Sequence, residues 1–413
     1  MNLIYAGFDG LDVTFQGFLP RNAIEALETA KLSAQETKQP AFVEIGFFKG
    51  HVGEAGAKGG FAYCVDTGKL GFTWFFGKSE KRDAWQIRVS CKSATLAARG
   101  FEGTLDAMYH ELDVIGATVL AERIARVDYA MDWRVDGAFR LDPHRFTLHG
   151  TTKAQAHGAE IEHHWQKRTF TGLTIGKMPG RQICIYDKRK DIVAKRKAEW
   201  WEIWGIDREE FEGSGDQIFR IEVRAGKKHL KEQWGVNTWD DLRDRLGDIY
   251  QHALDRVCLK SRLWGEHENV TRIADDEWWQ RARAVISKNL FEWISGAEPG
   301  VIKEVIEDQQ RQMISAQMIG LSANLAVLSG LPEDRLFELP GMIAAMLAEN
   351  VKGEEAEKFK IRMKKVLRRY EIIDADGVIR GGTGFTGELR GEAYGEKRNI
   401  GRGRMPCMQG AGA

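Results

Sequence analysis

The chain has 413 residues, 43% of them hydrophobic, and its 60 basic residues balance its 60 acidic ones. That length holds roughly two or three domains, and the apolar fraction excludes global disorder. Zero net charge excludes a uniformly basic nucleic-acid coat and moves the question to local patches.

In chain order, Leu3 to Leu19 alternates and contains Asp12-Val13-Thr14-Phe15, a predicted strand. Arg21 to Lys38 is rich in alanine, leucine and glutamate and predicts a helix. From Ala41 to Cys91, short apolar-aromatic runs such as Phe72 to Phe76 are separated by glycine-rich turns. That pattern predicts an antiparallel meander. Thr104 to Thr118 places Leu105, Met108, Leu112 and Ile115 on one helical face. The period then switches to two. In Glu122 to Val135, Arg126, Asp128, Ala130 and Asp132 share one strand face, and Val127, Tyr129, Met131 and Trp133 share the other.

Asp142 to His164 is polar and irregular and predicts a connection with little sheet. Thr169 to Asp191 follows, with two β-branched runs flanking Lys177-Met178-Pro179-Gly180, the signature of a hairpin. Its second run ends in Ile185-Tyr186-Asp187-Lys188 and passes into a segment expected to be helical to Ile203. Gln217 to Ala225 alternates again, with Arg220, Glu222 and Arg224 on one face.

Beyond Gly235 helical patterns dominate: Trp239 to Lys260, Asp275 to Trp293, Val301 to Ser329, Pro340 to Asn350 and Glu354 to Arg369. The expected fold class is therefore α+β, with an antiparallel-sheet domain over 1–234 and an all-α domain over 235–380. Residues 381–413 are glycine- and arginine-rich, the composition of a disordered basic tail.

The five cysteines are scattered without a C-x-x-C pair, which fits a reducing, cytoplasmic setting. The start, MNLIYAGFDGLDV, lacks the basic segment of a signal peptide, and no apolar run reaches the ~20 residues of a membrane span. No P-loop, dinucleotide fingerprint, G-x-S-x-G or H-E-x-x-H is present, which removes the commonest nucleotide-hydrolysing and hydrolase classes.

Three pieces can carry chemistry. Asp128 and Asp132 are carboxylates on one strand face and could hold a divalent, oxygen-preferring cation. Four residues of extended strand separate them by about 13 Å, too far for one ion without a bulge. Pairing with Arg126 and Arg134 is the structural alternative. Glu222, framed by Arg220 and Arg224, is either a further metal ligand beside phosphate-gripping arginines or part of an ion-pair ladder. Tyr186 with Lys188 is either a nucleophile with a cationic neighbour on the same face or a packed strand-end tyrosine. The surrounding segment, with Arg181, Arg189, Lys190, Lys195, Arg196 and Lys197, reads as a polyanion footprint or as a solvated helix face. His163-His164 would point to opposite faces of a strand, so a joint metal site is not expected there.

In this order the pieces resemble the replication initiation factor family of rolling-circle plasmids and filamentous phages. Asp9-Gly10-Leu11-Asp12-Val13-Thr14-Phe15 is similar to its opening D-x-L-x-x-T-F strand. Arg126 to Asp132 is similar to its R-x-D-x-x-x-D strand. Ile175-Gly176 with Tyr186-Asp187-Lys188, and Arg220-Ile221-Glu222, match its later elements. The resemblance covers Leu3 to Lys231 and implies an HUH-like sheet without the His-apolar-His motif, acids standing in for the histidines. It implies a DNA nickase and strand transferase that leaves a 5′-phosphotyrosyl intermediate at an origin. Tyr186 would be the nucleophile, with Lys188 beside it. Asp128 and Glu222, with Asp132 as a third, would bind Mg²⁺ or Mn²⁺. Arg220, Arg224, Arg181, Arg189 and Lys190 would contact DNA, single-stranded or extruded as a hairpin. A host helicase or a second copy of the chain could engage the helical region. The rival expectation is a DNA-binding regulator on the same scaffold, without catalysis.

Overall fold

The computed structural model describes residues 1–79, 81, 83–148, 161–166, 168–286, 290–350, 352 and 356–363. The expected basic tail, part of the polar stretch before the hairpin and part of the last predicted helix lie outside them.

Thirteen described strands form the α+β architecture: β1 (Asn2–Phe18), β2 (Ala41–Ile45), β3 (Phe48–Val52), β4 (Phe61–Asp66), β5 (Phe72–Gly77), β6 (Trp85–Cys91), β7 (Thr118–Val135), β8 (Phe146–Leu148), β9 (Ile161–Gln166), β10 (Thr169–Gly176), β11 (Arg181–Asp187), β12 (Gln217–Gly226) and β13 (Val257–Leu259). Eleven of them make one antiparallel sheet, in the order β2-β3-β4-β5-β6-β1-β7-β12-β11-β10-β9. The long central pair β1–β7 buries Leu11, Val13, Phe15, Val127, Tyr129 and Met131 on one face. That is the period-two pattern expected of a strand with one apolar side.

The described helices include α1 (Arg21–Thr37), α2 (Ser93–Val114), α3 (Lys188–Ala194), α4 (Glu199–Trp204), α5 (Arg208–Ser214), α6 (Trp239–Arg256), α7 (Glu277–Ile286), α8 (Pro299–Leu328) and α9 (Leu339–Asn350). The apolar sheet face is covered by α1, by Phe101, Leu105 and Met108 of α2, by Leu246, Ile249 and Tyr250 of α6, and by Trp278 and Trp279 of α7. Residues on both sides of Gly235 therefore share one core. A smaller cluster covers part of the other face: Ala94 and Ala97 of α2, Trp200 and Trp204 of α4, and Ile302 and Ile306 of α8, over Tyr5 and Ala130.

Three expectations are corrected. The polar stretch before the hairpin contains β8 and β9, so His163 and His164 stand on an edge strand. The single helix expected from Asp187 to Ile203 is broken, because Arg196 takes a left-handed backbone between α3 and α4. Helix α6 ends at Arg256, and β13 pairs with β8 beyond it. Among the described residues no helix is long and apolar enough to cross a membrane.

Candidate functional site

Strand register lays the polar face out in rows. One row reads Tyr5, Asp132, Arg220, Tyr186, Gly172 and His164 across five neighbouring pairings. The next reads Gly7, Ala130, Glu222, Cys184, Thr174 and Glu162. A third reads Gly10, Asp128, Arg224, Gln182 and Gly176. Tyr186, Asp128 and Glu222 thus lie on one face, as the alternation of their strands predicts.

This face has a closed end and an open end. At the closed end, Arg220 is fully buried; its Nε donates to Asp132 Oδ1 at 2.5 Å and its Nη2 to Asp132 Oδ2 at 2.7 Å. Its Nη1 reaches Asp9, which stands in a β-bulge between Phe8 and Gly10 that aims its carboxylate inward. Trp204 Nε1 donates to Asp132 Oδ2 at 2.8 Å. Burial would push the Asp9 carboxyl up, but Arg220 and Lys188 more than offset it and hold it well below the usual range.

Several expected roles change here. Asp132 is committed to Arg220 and Trp204, so it does not fit a metal ligand. Arg220 is sealed from solvent, so it cannot touch DNA from this position. The strand stops at Asp187, whose Oδ1 accepts the Lys190 amide at 2.9 Å and caps α3, so Lys188 begins the helix, yet its Nζ stays 5.7 Å from the Tyr186 ring centroid. Lys188 is buried, with Nζ also 4.5 Å from the ring centroid of Trp200, and burial next to Arg220 brings its ammonium down to about 8.

The open end is a cleft of about 470 Å³ lined by His164, Thr174, Cys184, Tyr186, Lys190, Lys195 and Arg224, among others. Tyr186 Oη donates to Glu222 Oε2 at 3.0 Å, and Arg224 Nε holds Glu222 Oε1 at 2.6 Å. Burial, then the Glu222 charge, raises the Tyr186 phenol well above its ordinary value despite Arg220, so the hydroxyl keeps its proton. Lys190 pairs with Asp187 at 3.0 Å and Lys195 with Asp191 at 2.6 Å, both at the rim. Arg181 points to the other face, where burial and Arg256 depress it, so it does not line the cleft. Arg189 is half-buried on α3, and its Nε has no hydrogen-bond partner among the described residues.

Asp128 receives Arg126 Nε at 2.9 Å and Nη2 at 2.5 Å. Burial raises its carboxyl to about 7, with Glu222 adding to the effect and Arg126 opposing it. Gly10 makes room for it, since a Cβ there would stand 2.7 Å from Asp128 Oδ2. Asp128 and Glu222 are buried carboxylates on neighbouring strands, a chemistry that suits a hard cation with oxygen ligands. No group of three or more His, Cys, Asp or Glu is placed to hold an ion among the described residues. Asp128 and Glu222 are each held by an arginine, Arg126 and Arg224.

Sequence reasoning did not single out His164, Thr174, Cys184 or Gly172 as site residues. The signal for His164 was the alternation in Ile161 to Gln166, where Glu162, His164 and Gln166 face the cleft while His163 meets Phe170 on the other side.

A scan of protein-family models finds no match, and a search of curated proteins finds none either. Among solved structures, the chain is similar to a rolling circle replication initiator protein from Geobacillus stearothermophilus. That match has 15% identity and a TM-score of 0.38, over 72% of this chain and 100% of the other.

Proposed function

We propose that the protein initiates rolling-circle DNA replication by nicking one strand through Tyr186. The observation that carries this reading is the 3.0 Å hydrogen bond from Tyr186 Oη to Glu222 in a cleft rimmed by Lys190, Lys195 and Arg224. The four motifs that resemble those of replication initiation factors support it. Glu222 accepts the phenol proton as the oxygen attacks phosphorus, so no free phenolate need accumulate. Arg224 and the two lysines bind the phosphate oxygens and neutralise charge that grows in the transition state. Asp128 and Glu222 would hold Mg²⁺ or Mn²⁺, which when bound would withdraw charge from a phosphate oxygen.

The test is a randomised pool of 3′-labelled single-stranded DNA incubated with the protein and Mg²⁺ or Mn²⁺. The expected result is a labelled adduct that survives denaturing electrophoresis and is lost in Tyr186→Phe, with DNA binding retained. An adduct that persists in Tyr186→Phe would place the nucleophile elsewhere. One observation favours the second reading, a DNA-binding regulator: Asp128 and Glu222 each already have an arginine partner. In that case the wild-type protein retains DNA from the pool and forms no adduct.

A further inference from the structure

We propose that His164 is the general acid of the nicking step, protonating the 3′ oxygen that leaves phosphorus as Tyr186 attacks. This rests on the nicking reading and deepens it.

Three strands set the geometry. Tyr186 on β11 and His164 on β9 are both in register with Gly172 on β10, the strand between them. Gly172 puts no side chain in that gap. A Cβ there would stand 2.4 Å from Ile185 O and 2.6 Å from Tyr186 Cβ, so the position is closed to any larger residue without a shift. Both side chains then lean the same way, onto the neighbouring row. Tyr186 Oη ends on Glu222, and His164 Nε2 ends 2.9 Å from Thr174 Oγ1. Between those anchors in the row lies Cys184, whose Sγ is 3.7 Å from Thr174 Oγ1.

Glu222 and Thr174 are two strand spacings apart, about 9–10 Å. An in-line displacement places the nucleophile about 3 Å from phosphorus on one side and the proton donor about 3 Å from the leaving oxygen on the other. The whole span is on the order of 8 Å. A phosphodiester lying over Cys184 therefore has Tyr186 at one end and His164 at the other, as in-line transfer needs. The cleft's other proton donors, Lys190 and Lys195, belong to α3 and its C-terminal end, which follow directly on from Tyr186; they pair with Asp187 and Asp191. Thr174 fixes the orientation of the imidazole through Nε2, the ring nitrogen that faces this gap, and the leaving oxygen takes over the Nε2 proton from Thr174 Oγ1.

The step balances. The bond from Tyr186 Oη to phosphorus forms and the bond from phosphorus to the 3′ oxygen breaks. The phenol proton goes to Glu222, and the imidazolium of His164 gives a proton to the 3′ oxygen and becomes neutral. Nothing is oxidised or reduced, and the products are a 5′-phosphotyrosyl strand and a free 3′-hydroxyl.

The experiment uses the full chain and two oligonucleotides that share the junction mapped with the random pool. One has the natural 3′ oxygen; the other carries sulfur there, and a thiolate leaves without needing a proton. His164→Ala and His164→Gln should form the adduct about 10²–10⁴-fold more slowly on the oxygen substrate. Both should stay within a few-fold of wild type on the sulfur substrate. His164→Gln can still hydrogen-bond Thr174, so its matching defect separates proton donation from positioning. Equal slowing on both substrates, or none on either, overturns the acid role while leaving the Tyr186 adduct in place. No adduct from the wild type on either substrate overturns the nicking reading, and this inference with it.

Discussion

Arg220 has no solvent contact and satisfies two carboxylates at once, Asp132 and Asp9. Removing it takes from both acids the cation they pair with directly, a loss of about 3–5 kcal/mol. Arg220→Leu is therefore expected to lower the denaturant midpoint and Tm strongly, whereas Arg224→Leu, on a partly exposed side chain, weakens DNA binding with a smaller stability change. Urea unfolding of the two variants checks this. A wild-type midpoint for Arg220→Leu would show that the buried network contributes nothing. Alternation alone placed Arg220, Glu222 and Arg224 on one face. It could not tell which arginine would be sealed, because that depends on a bulge that turns Asp9 inward and on Trp200 and Trp204 arriving from α4.

At the scale of elements, the cleft is made by the hairpin β10–β11 and the edge strand β9. Gly172 is the narrow point of that arrangement. Gly172→Ala forces a methyl group against the Ile185 carbonyl and the Tyr186 Cβ, so either the hairpin register loosens or Tyr186 swings from Glu222. Overpacking of this kind costs about 1–3 kcal/mol. The expected outcome is a lower Tm together with adduct formation slowed well beyond what the stability loss explains, read by single-turnover rates at a temperature where the variant is folded. Unchanged rates would mean that the Tyr186–Glu222 contact tolerates the displacement. The hairpin itself was legible, since its apolar runs and the Pro-Gly turn lie close in sequence. The edge strand was not: Glu162-His163-His164 has little β-branched content, and its strand state comes from pairing with β10. A helix break at Arg196 was equally hidden, because its surrounding residues all have good helix propensity.

For the whole molecule, the composition shift at Gly235 marks a change from strands to helices without marking a change of core. Leu242, Leu246, Ile249, Leu254, Trp278 and Trp279 are buried in the cluster that also holds Val127, Tyr129 and Val223, and Tyr250 Oη donates to the Val127 carbonyl at 3.2 Å. Periodicity reports which residues of a helix are apolar; it does not report what they pack against. A chain ending at residue 234 would expose the matching face of the sheet. At about 1.5–3 kcal/mol for each large apolar side chain, losing these partners removes on the order of 10 kcal/mol, comparable to the whole stability of a domain. The fragment 1–234 is therefore expected to aggregate or to melt without a cooperative transition. A chain ending at residue 330 keeps every buried side chain among the described residues, the last being Ala326 in α8. It should melt within a few degrees of the full chain. Thermal melts followed by near-ultraviolet circular dichroism compare the three chains directly. A cooperative, native-like melt from 1–234 would show that the sheet carries its own core and that helices α6 and α7 dock onto a finished domain.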